Sequence, residues 1–91
     1  MKVEFDKSFL KSLEKIKDSR TLKKIDRIII ECENSKKISE IPNIKKLTGF
    51  SNYFRIKSGN YRIGCELTSK SVIRFIIILH RKDIYKKFPK K

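Results

Sequence analysis

The 91-residue sequence predicts a single compact α+β domain over residues 1–91. Its expected architecture is an N-terminal strand and a two-helix hairpin packed on a mainly antiparallel sheet of four to five strands, with a short C-terminal helix. Three observations lead to this prediction. Apolar residues recur at helical spacing in the first third of the chain, polar and apolar residues alternate in the second half, and a chain of this length can bury only one modest core.

The N-terminal part of the sequence indicates a strand followed by two helices. Residues 1–5 alternate as a short strand, and Asp6 suits a helix N-cap because its carboxylate can accept backbone N–H groups. A second helix starts at Asp18 or Ser19 and continues to about Glu33. The apolar faces of the two helices are formed by Phe9, Leu13 and Ile16, and by Leu22, Ile25, Ile29 and Cys32. Little chain separates the helices, which predicts an antiparallel helical hairpin.

The remaining sequence indicates a run of strands. Residues 34–43, with Pro42, form a connecting loop, and residues 44–47 form a short strand. Residues 53–57 and 61–67 alternate on either side of Ser58-Gly59-Asn60, a sequence typical of a tight β-hairpin. Residues 72–79 form an apolar central strand, in which alternation places Arg74 on the face of Ile76, Ile78 and His80. Residues 81–88 form a short helix or turn before Pro89 and the lysine tail.

The charge of the chain points to a polyanionic partner. The formal net charge is +14, and residues 53–91 hold only two of the ten acidic residues, Glu66 and Asp83. Such a field favours nucleic acid, an acidic protein or an anionic membrane surface. A lysine-rich genomic composition is the alternative explanation, although it does not explain why the excess is concentrated in the later strands.

Several classes of function are disfavoured by composition. Cys32 and Cys65 lie within apolar patterns without metal-ligand spacing, so we expect reduced core thiols in a cytoplasmic protein. One histidine, two separated cysteines and scattered carboxylates do not predict a metal site, and three glycines do not form a phosphate-binding loop. The longest apolar run, 75–79, is too short to span a bilayer. We therefore expect no metal, no cofactor and no membrane association.

The hairpin is expected to present a cationic face. Arg55 and Lys57 point the same way, and a two-residue loop puts Arg62 opposite one of them. Directly opposed like charges destabilise a sheet, so a bound anion is favoured over side chains that merely spread into water.

The residues near the C-terminus add two proton-transfer groups, His80 and Tyr85. RNA carries its own nucleophile, the 2′-OH, so a protein that cleaves it must position the strand, neutralise phosphate charge and move protons. Arginine suits the charge role because its planar fork donates two hydrogen bonds to phosphate. Metal-free cleavage of RNA phosphodiesters is therefore the chemistry that these residue types fit.

Three segments resemble toxins of the RelE/ParE superfamily, the basic halves of type II toxin–antitoxin pairs. They are YFRIKSGNYRIGCEL, IIILHRKDIYKKFP and IPNIKKLTG, and the order of one strand and two helices before them is also similar. The resemblance implies an antiparallel-rich sheet that cradles helices on one side. It also implies cleavage of messenger RNA in the ribosomal A site, in which 2′-OH attack leaves a cyclic phosphate, and a small acidic antitoxin as partner.

The resemblance also implies roles for individual residues. Arg62 matches the strand arginine that stabilises the scissile phosphate, Arg81 the arginine after the last strand, and Tyr85 the tyrosine that stacks on or protonates the substrate. Arg55 and Lys57 match two lysine positions, but arginine is a poor base. Lys57 is thus expected to be the base, with Tyr85 or His80 as the acid. Binding of RNA is expected to involve Arg55, Lys45, Lys46, Lys82 and Lys86, with non-specific attraction from Lys87, Lys90 and Lys91.

Two other functions remain open at this stage. A ParE-like protein of the same fold inhibits DNA gyrase and cuts no RNA, and an inert relative only binds nucleic acid or its antitoxin. The joint presence of Arg62, Arg81 and Tyr85 favours the RelE-like function.

Overall fold

A five-stranded sheet forms the centre of the molecule, and the computed structural model describes residues 1–89. Lys90 and Lys91, expected to attract phosphate, lie outside these described residues. In chain order the elements are β1 (Lys2–Phe5), α1 (Lys7–Glu14), α2 (Ser19–Asn34), β2 (Ile44–Lys46), β3 (Tyr53–Ser58), β4 (Tyr61–Ser69), β5 (Val72–His80) and α3 (Ile84–Lys87).

The strand order is β1-β5-β4-β3-β2. β1 pairs with β5 in parallel, and every other pair is antiparallel. Ser58 pairs with Tyr61, so the β3–β4 hairpin has a two-residue loop in which Gly59 has a φ of +58°. The predicted α+β fold class is confirmed.

Aspartates cap the two long helices, as the sequence predicts for the first. Asp6 accepts hydrogen bonds from the Ser8 backbone N–H (3.1 Å) and the Ser8 hydroxyl (2.6 Å), and from Arg74 Nη2 of β5 (3.0 Å). The Ser8 hydroxyl, followed by Arg74, lowers the pKa of Asp6 from 3.8 to about 2. Asp18 caps α2 in the same manner, through the Arg20 N–H and the Thr21 hydroxyl. The Asp6 cap therefore also ties α1 to β5.

The main core lies between α1, α2 and one face of the sheet, called here the inner face. Its buried residues include Phe9 of α1, Ile25 of α2 and Phe75 of β5. Cys32 and Cys65 are buried free thiols in this core, as predicted. Burial raises the pKa of Cys32 to about 12 and raises that of Cys65 as well, so both thiols stay protonated and unreactive at neutral pH.

A second, smaller apolar cluster covers part of the opposite, outer face. Leu47, Ile84 and Phe88 are buried there, with Tyr53 and Ile77 packed against them. This cluster fixes α3 to the outer face, whereas α1 and α2 lie on the inner face. The sequence did not indicate it, because its members come from four separate segments.

A β-bulge in β5 overturns the expected alternation of that strand. Gly64 pairs with Ile77 but Cys65 pairs with Phe75, so Ile76 has no partner on β4. Beyond this point the alternation of β5 side chains between the two faces of the sheet is shifted by one residue. Arg74 consequently lies on the outer face, whereas His80, opposite Tyr61, lies on the inner face. The prediction that Arg74 shares a face with Ile78 and His80 was wrong, because strict alternation does not continue through a bulge.

The connection between α2 and β2 is more ordered than a polar loop. It contains a 3-10 turn, Ile38–Glu40, and Ile41 is buried in the main core. Its two isoleucines attach the segment to the inner side. No helix among residues 1–89 is both long and apolar enough to cross a membrane.

Candidate functional site

An open cavity of about 360 Å³ lies on the outer face, between α3 and the side of the sheet formed by β2, β3 and β4. Its size lies within the range of small-ligand sites, roughly 300–1,000 Å³. It is lined by Asn43, Ile44, Lys45, Arg55, Lys57, Arg62 and Tyr85. Five of the ten predicted site residues therefore line one cavity.

Strand register places the four cations of the cavity in two opposed pairs. Lys57 lies across from Arg62, and Lys45 lies across from Arg55. None of them forms an ion pair with a carboxylate of residues 1–89, whereas Arg74 at the other end of the sheet contacts two. Opposed like charges without counterions destabilise a sheet, so the arrangement fits an anionic ligand.

Arg62 is held in place by its own hairpin. Its Nη1 donates to the carbonyl oxygens of Gly59 and Tyr61, both at 2.9 Å. Nη2 and Nε make no hydrogen bond within residues 1–89, so part of the guanidinium fork remains available to a phosphate. Fixing one nitrogen reduces the entropy that the side chain loses when it binds.

Arg55 and Tyr85 form a stacked pair at the wall of the cavity. The guanidinium carbon of Arg55 lies 4.3 Å from the centre of the Tyr85 ring, within the distance of a cation–π contact. Tyr85 as a whole residue is 69% exposed. One face of the ring is thus supported by a cation, and the exposed ring can stack on a nucleotide base.

The position of Tyr85 depends on Gly64, which lies beside Arg55 in the sheet register. A Cβ on Gly64 would lie 2.6 Å from Cγ and Cδ2 of Phe88. Phe88 is 6% exposed and packs edge-on against Tyr53 at 5.4 Å between ring centres. The bare backbone at Gly64 therefore accepts the Phe88 ring, and this contact, with buried Ile84, seats the short helix that carries Tyr85.

His80 and Lys46 do not line the cavity. His80 packs its ring against Tyr61 (5.9 Å between ring centres), and its Nδ1 accepts the Lys82 N–H (3.2 Å). Lys46 pairs with Phe54 and so points to the opposite face from Lys45.

The remaining predicted cations do not line the cavity. Arg81 is exposed, and its backbone N–H donates to Asn60 O (2.8 Å), which holds it beside the hairpin tip that also anchors Arg62. Lys82 and Lys86 are exposed on the turn before α3 and on α3 itself. Tyr61 packs against the main core, as its alternation predicts.

The sequence did not indicate three residues of the site: Asn43 and Ile44, which line the cavity, and Gly64. The sequence predicts Asn43 to be part of a loop, and Pro42-Asn43 is also compatible with a tight turn that exposes a polar side chain. Gly64 was placed correctly on the outer face, but nothing local indicates that Phe88 packs on it. Among residues 1–89, no group of three or more His, Cys, Asp or Glu side chains could hold a metal ion.

The chain is similar to known proteins in both sequence and fold. Residues 3–85 match the family described as ParE toxin of type II toxin-antitoxin system, parDE. The chain is 46% identical over 90 residues to Toxin RelE3 of Methanocaldococcus jannaschii, covering 98% of this chain and 100% of that protein. The toxin–antitoxin RelB-RelE complex from Methanococcus jannaschii superposes with a TM-score of 0.79 at 43% identity, over 94% of this chain and 99% of that one. The intact E. coli RelBE toxin-antitoxin complex gives a TM-score of 0.64 at 26% identity, over 85% and 92%.

Proposed function

Because the chain belongs to the ParE toxin family of type II toxin–antitoxin systems, within the RelE/ParE superfamily, we propose that it is a RelE-type toxin that cuts messenger RNA. It acts as an endoribonuclease, stops translation, and works on messages in the ribosomal A site. The observation that carries this proposal is the single cavity in which Arg55, Lys57, Arg62 and Tyr85 come together.

The geometry supports separate roles for the cavity residues in binding phosphate and in transferring protons. Arg62, with part of its guanidinium free, binds the scissile phosphate and stabilises the charge that develops on it. Lys45 and Arg55 bind the phosphates on either side. Tyr85, braced by Arg55, stacks on a base and places the adjacent phosphate against Arg62.

In the proposed reaction the 2′-oxygen of the RNA bonds to the adjacent phosphorus while the bond from phosphorus to the 5′-oxygen breaks. The Lys57 amine accepts the 2′-OH proton, and the Tyr85 hydroxyl gives a proton to the leaving 5′-oxygen. The products are a 2′,3′-cyclic phosphate and a 5′-hydroxyl. Proton transfer through solvent from the Lys57 ammonium to the Tyr85 phenolate restores the enzyme, and no metal is needed.

Tyr85 is preferred to His80 as the acid because it lines the cavity and His80 does not. His80 instead orders the turn between β5 and α3, by accepting the Lys82 N–H. Arg81, next to the hairpin tip, and the exposed Lys82 and Lys86 attract the RNA from outside the cavity.

The proposed partner is a small acidic antitoxin. The similar proteins from M. jannaschii and E. coli form toxin–antitoxin complexes with RelB, and a chain with net charge +14 would attract an acidic partner rapidly. The antitoxin blocks the cavity or its approach.

Induction of the protein in cells, followed by mapping of new messenger 5′ ends, tests the proposal. We expect cuts inside codons of translated messages, and Arg62→Ala to remove both cuts and toxicity while the protein stays folded, since Arg62 lies on the outer face. Arg27→Ala, an exposed arginine of α2, is the matched control and should remain toxic. A fully toxic Arg62→Ala protein contradicts the site. Intact messages together with altered DNA supercoiling point instead to the ParE-like inhibition of gyrase, for which the family match is the supporting observation.

A further inference from the structure

Asn43 differs from every other polar side chain of the cavity. The others are the four cations and the phenol of Tyr85. Phosphate groups are the same on all four nucleotides, so the cations cannot distinguish sequences, and stacking on a tyrosine ring tolerates any base. The carboxamide of Asn43 presents one acceptor and two donors, and it is the side chain here that can recognise a particular base edge.

The backbone at Asn43 fixes where this amide lies. Asn43 has a φ of +60°, and it is the one residue other than glycine with positive φ among residues 1–89. Its carbonyl accepts the backbone N–H of Lys57 (3.0 Å), which ties it to the strand position opposite Arg62. The backbone of Asn43 is therefore held beside Lys57, the proposed general base, and near Arg62, the proposed phosphate-binding residue.

The side chain itself is unused within the protein. Asparagine in a turn commonly bonds to nearby backbone, but the Asn43 side chain makes no hydrogen bond to any of residues 1–89, and the residue is exposed at the cavity. Turn geometry alone would be met equally well by glycine, which adopts positive φ without steric cost. Both donor and acceptor remain available to a ligand.

From these observations, and resting on the proposed ribonuclease function, we infer that Asn43 determines which base the cavity accepts. Its amide hydrogen-bonds the edge of the nucleotide that stacks on Tyr85, whose phosphate lies against Arg62. Asn43 is a specificity residue and not a proton-transfer group.

Asn43→Gly is the decisive variant because it keeps the positive φ and removes only the amide. The readout is the ratio of kcat/KM on messages that differ at the single cleaved nucleotide, measured with translating ribosomes. We expect the preference for the favoured base to fall by roughly 5- to 100-fold, the discrimination of one bidentate amide–base pair, with the fold unchanged. Asn43→Asp, which replaces the amide donors with acceptors, should move the preference to a base that presents a donor. Lys45→Gln is the control, and it should lower cleavage of all four messages by the same factor.

Binding of single-stranded oligonucleotides with 2′-deoxy substitution separates the two proposals. Loss of base preference in Asn43→Gly supports the role of Asn43, even if the wild-type protein fails to cleave RNA and the ribonuclease proposal falls. If the wild-type protein and Asn43→Gly show the same base ratios, or the wild type shows no preference, the inference is overturned whatever the cleavage result.

Discussion

Replacing Gly64 with alanine is expected to harm the site without touching a catalytic group. The new Cβ would lie 2.6 Å from the Phe88 ring, closer than real Cβ contacts allow, so the ring must be displaced from its buried position. Burial of a phenylalanine stabilises by about 1.5–3 kcal/mol, while alanine in a strand gains about 0.5–1 kcal/mol over glycine. The net loss should be about 0.5–2.5 kcal/mol. Cleavage should fall by roughly 100-fold, because small misplacements of a positioning residue have effects of this size.

The sign of the stability change on Gly64→Ala should depend on Phe88, and unfolding in urea can measure it. In a Phe88→Ala background the clash is absent, so Gly64→Ala should become neutral or stabilising by about 0.5–1 kcal/mol. Cleavage should show the same dependence: once Phe88 is removed, the second substitution should cost little. Equal destabilisation in both backgrounds would show that packing of Phe88 on Gly64 does not hold α3 in place. A Gly64→Ala protein of full activity would show the same.

Two further predictions concern the cap and the stacking residue. The pKa of Asp6 is lowered to about 2 from 3.8 in the folded protein. Its contribution to the free energy of unfolding is therefore present above about pH 4 and lost as pH falls toward 2. A shift of this size corresponds to roughly 2.4 kcal/mol, reduced by solvent screening to about 1 kcal/mol because the side chain is 35% exposed. Unfolding free energies at pH 5 and pH 2.5 should therefore differ less in Asp6→Asn than in wild type, and an unchanged difference would count against the cap. The Tyr85→Phe protein should keep its affinity for substrate but lose turnover, whereas Tyr85→Ala should lose both. Equal turnover of Tyr85→Phe and wild type would show that the phenol takes no part in proton transfer.

Local patterns predicted the parts of the fold that depend on local chemistry. Alternation in β3 and β4, with the Gly59 turn between them, predicted that Arg62 lies opposite Arg55 or Lys57, and the structure pairs it with Lys57. The Asp6 cap also follows from one residue at the start of an apolar helical face. These features need only neighbours in sequence, so the sequence displays them.

The features that sequence patterns missed depend on contacts between distant segments. The bulge at Ile76 turns His80 away from the cationic face, and no residue type in β5 marks it. The contact of Phe88 with Gly64 joins positions that lie 24 residues apart in the sequence. Such packing is decided by tertiary fit, which overrides a period-two pattern.

In the proposed reaction the outer-face cavity cleaves RNA by means of the substrate's own 2′-OH. The direct test is to incubate the purified protein with ribosomes translating a defined message and to analyse the new ends. We expect a 2′,3′-cyclic phosphate and a 5′-hydroxyl at the cut, and no cut there when that one nucleotide carries a 2′-deoxy sugar. Cleavage that persists at the deoxy position, or a message that stays intact while the protein remains toxic, would contradict it.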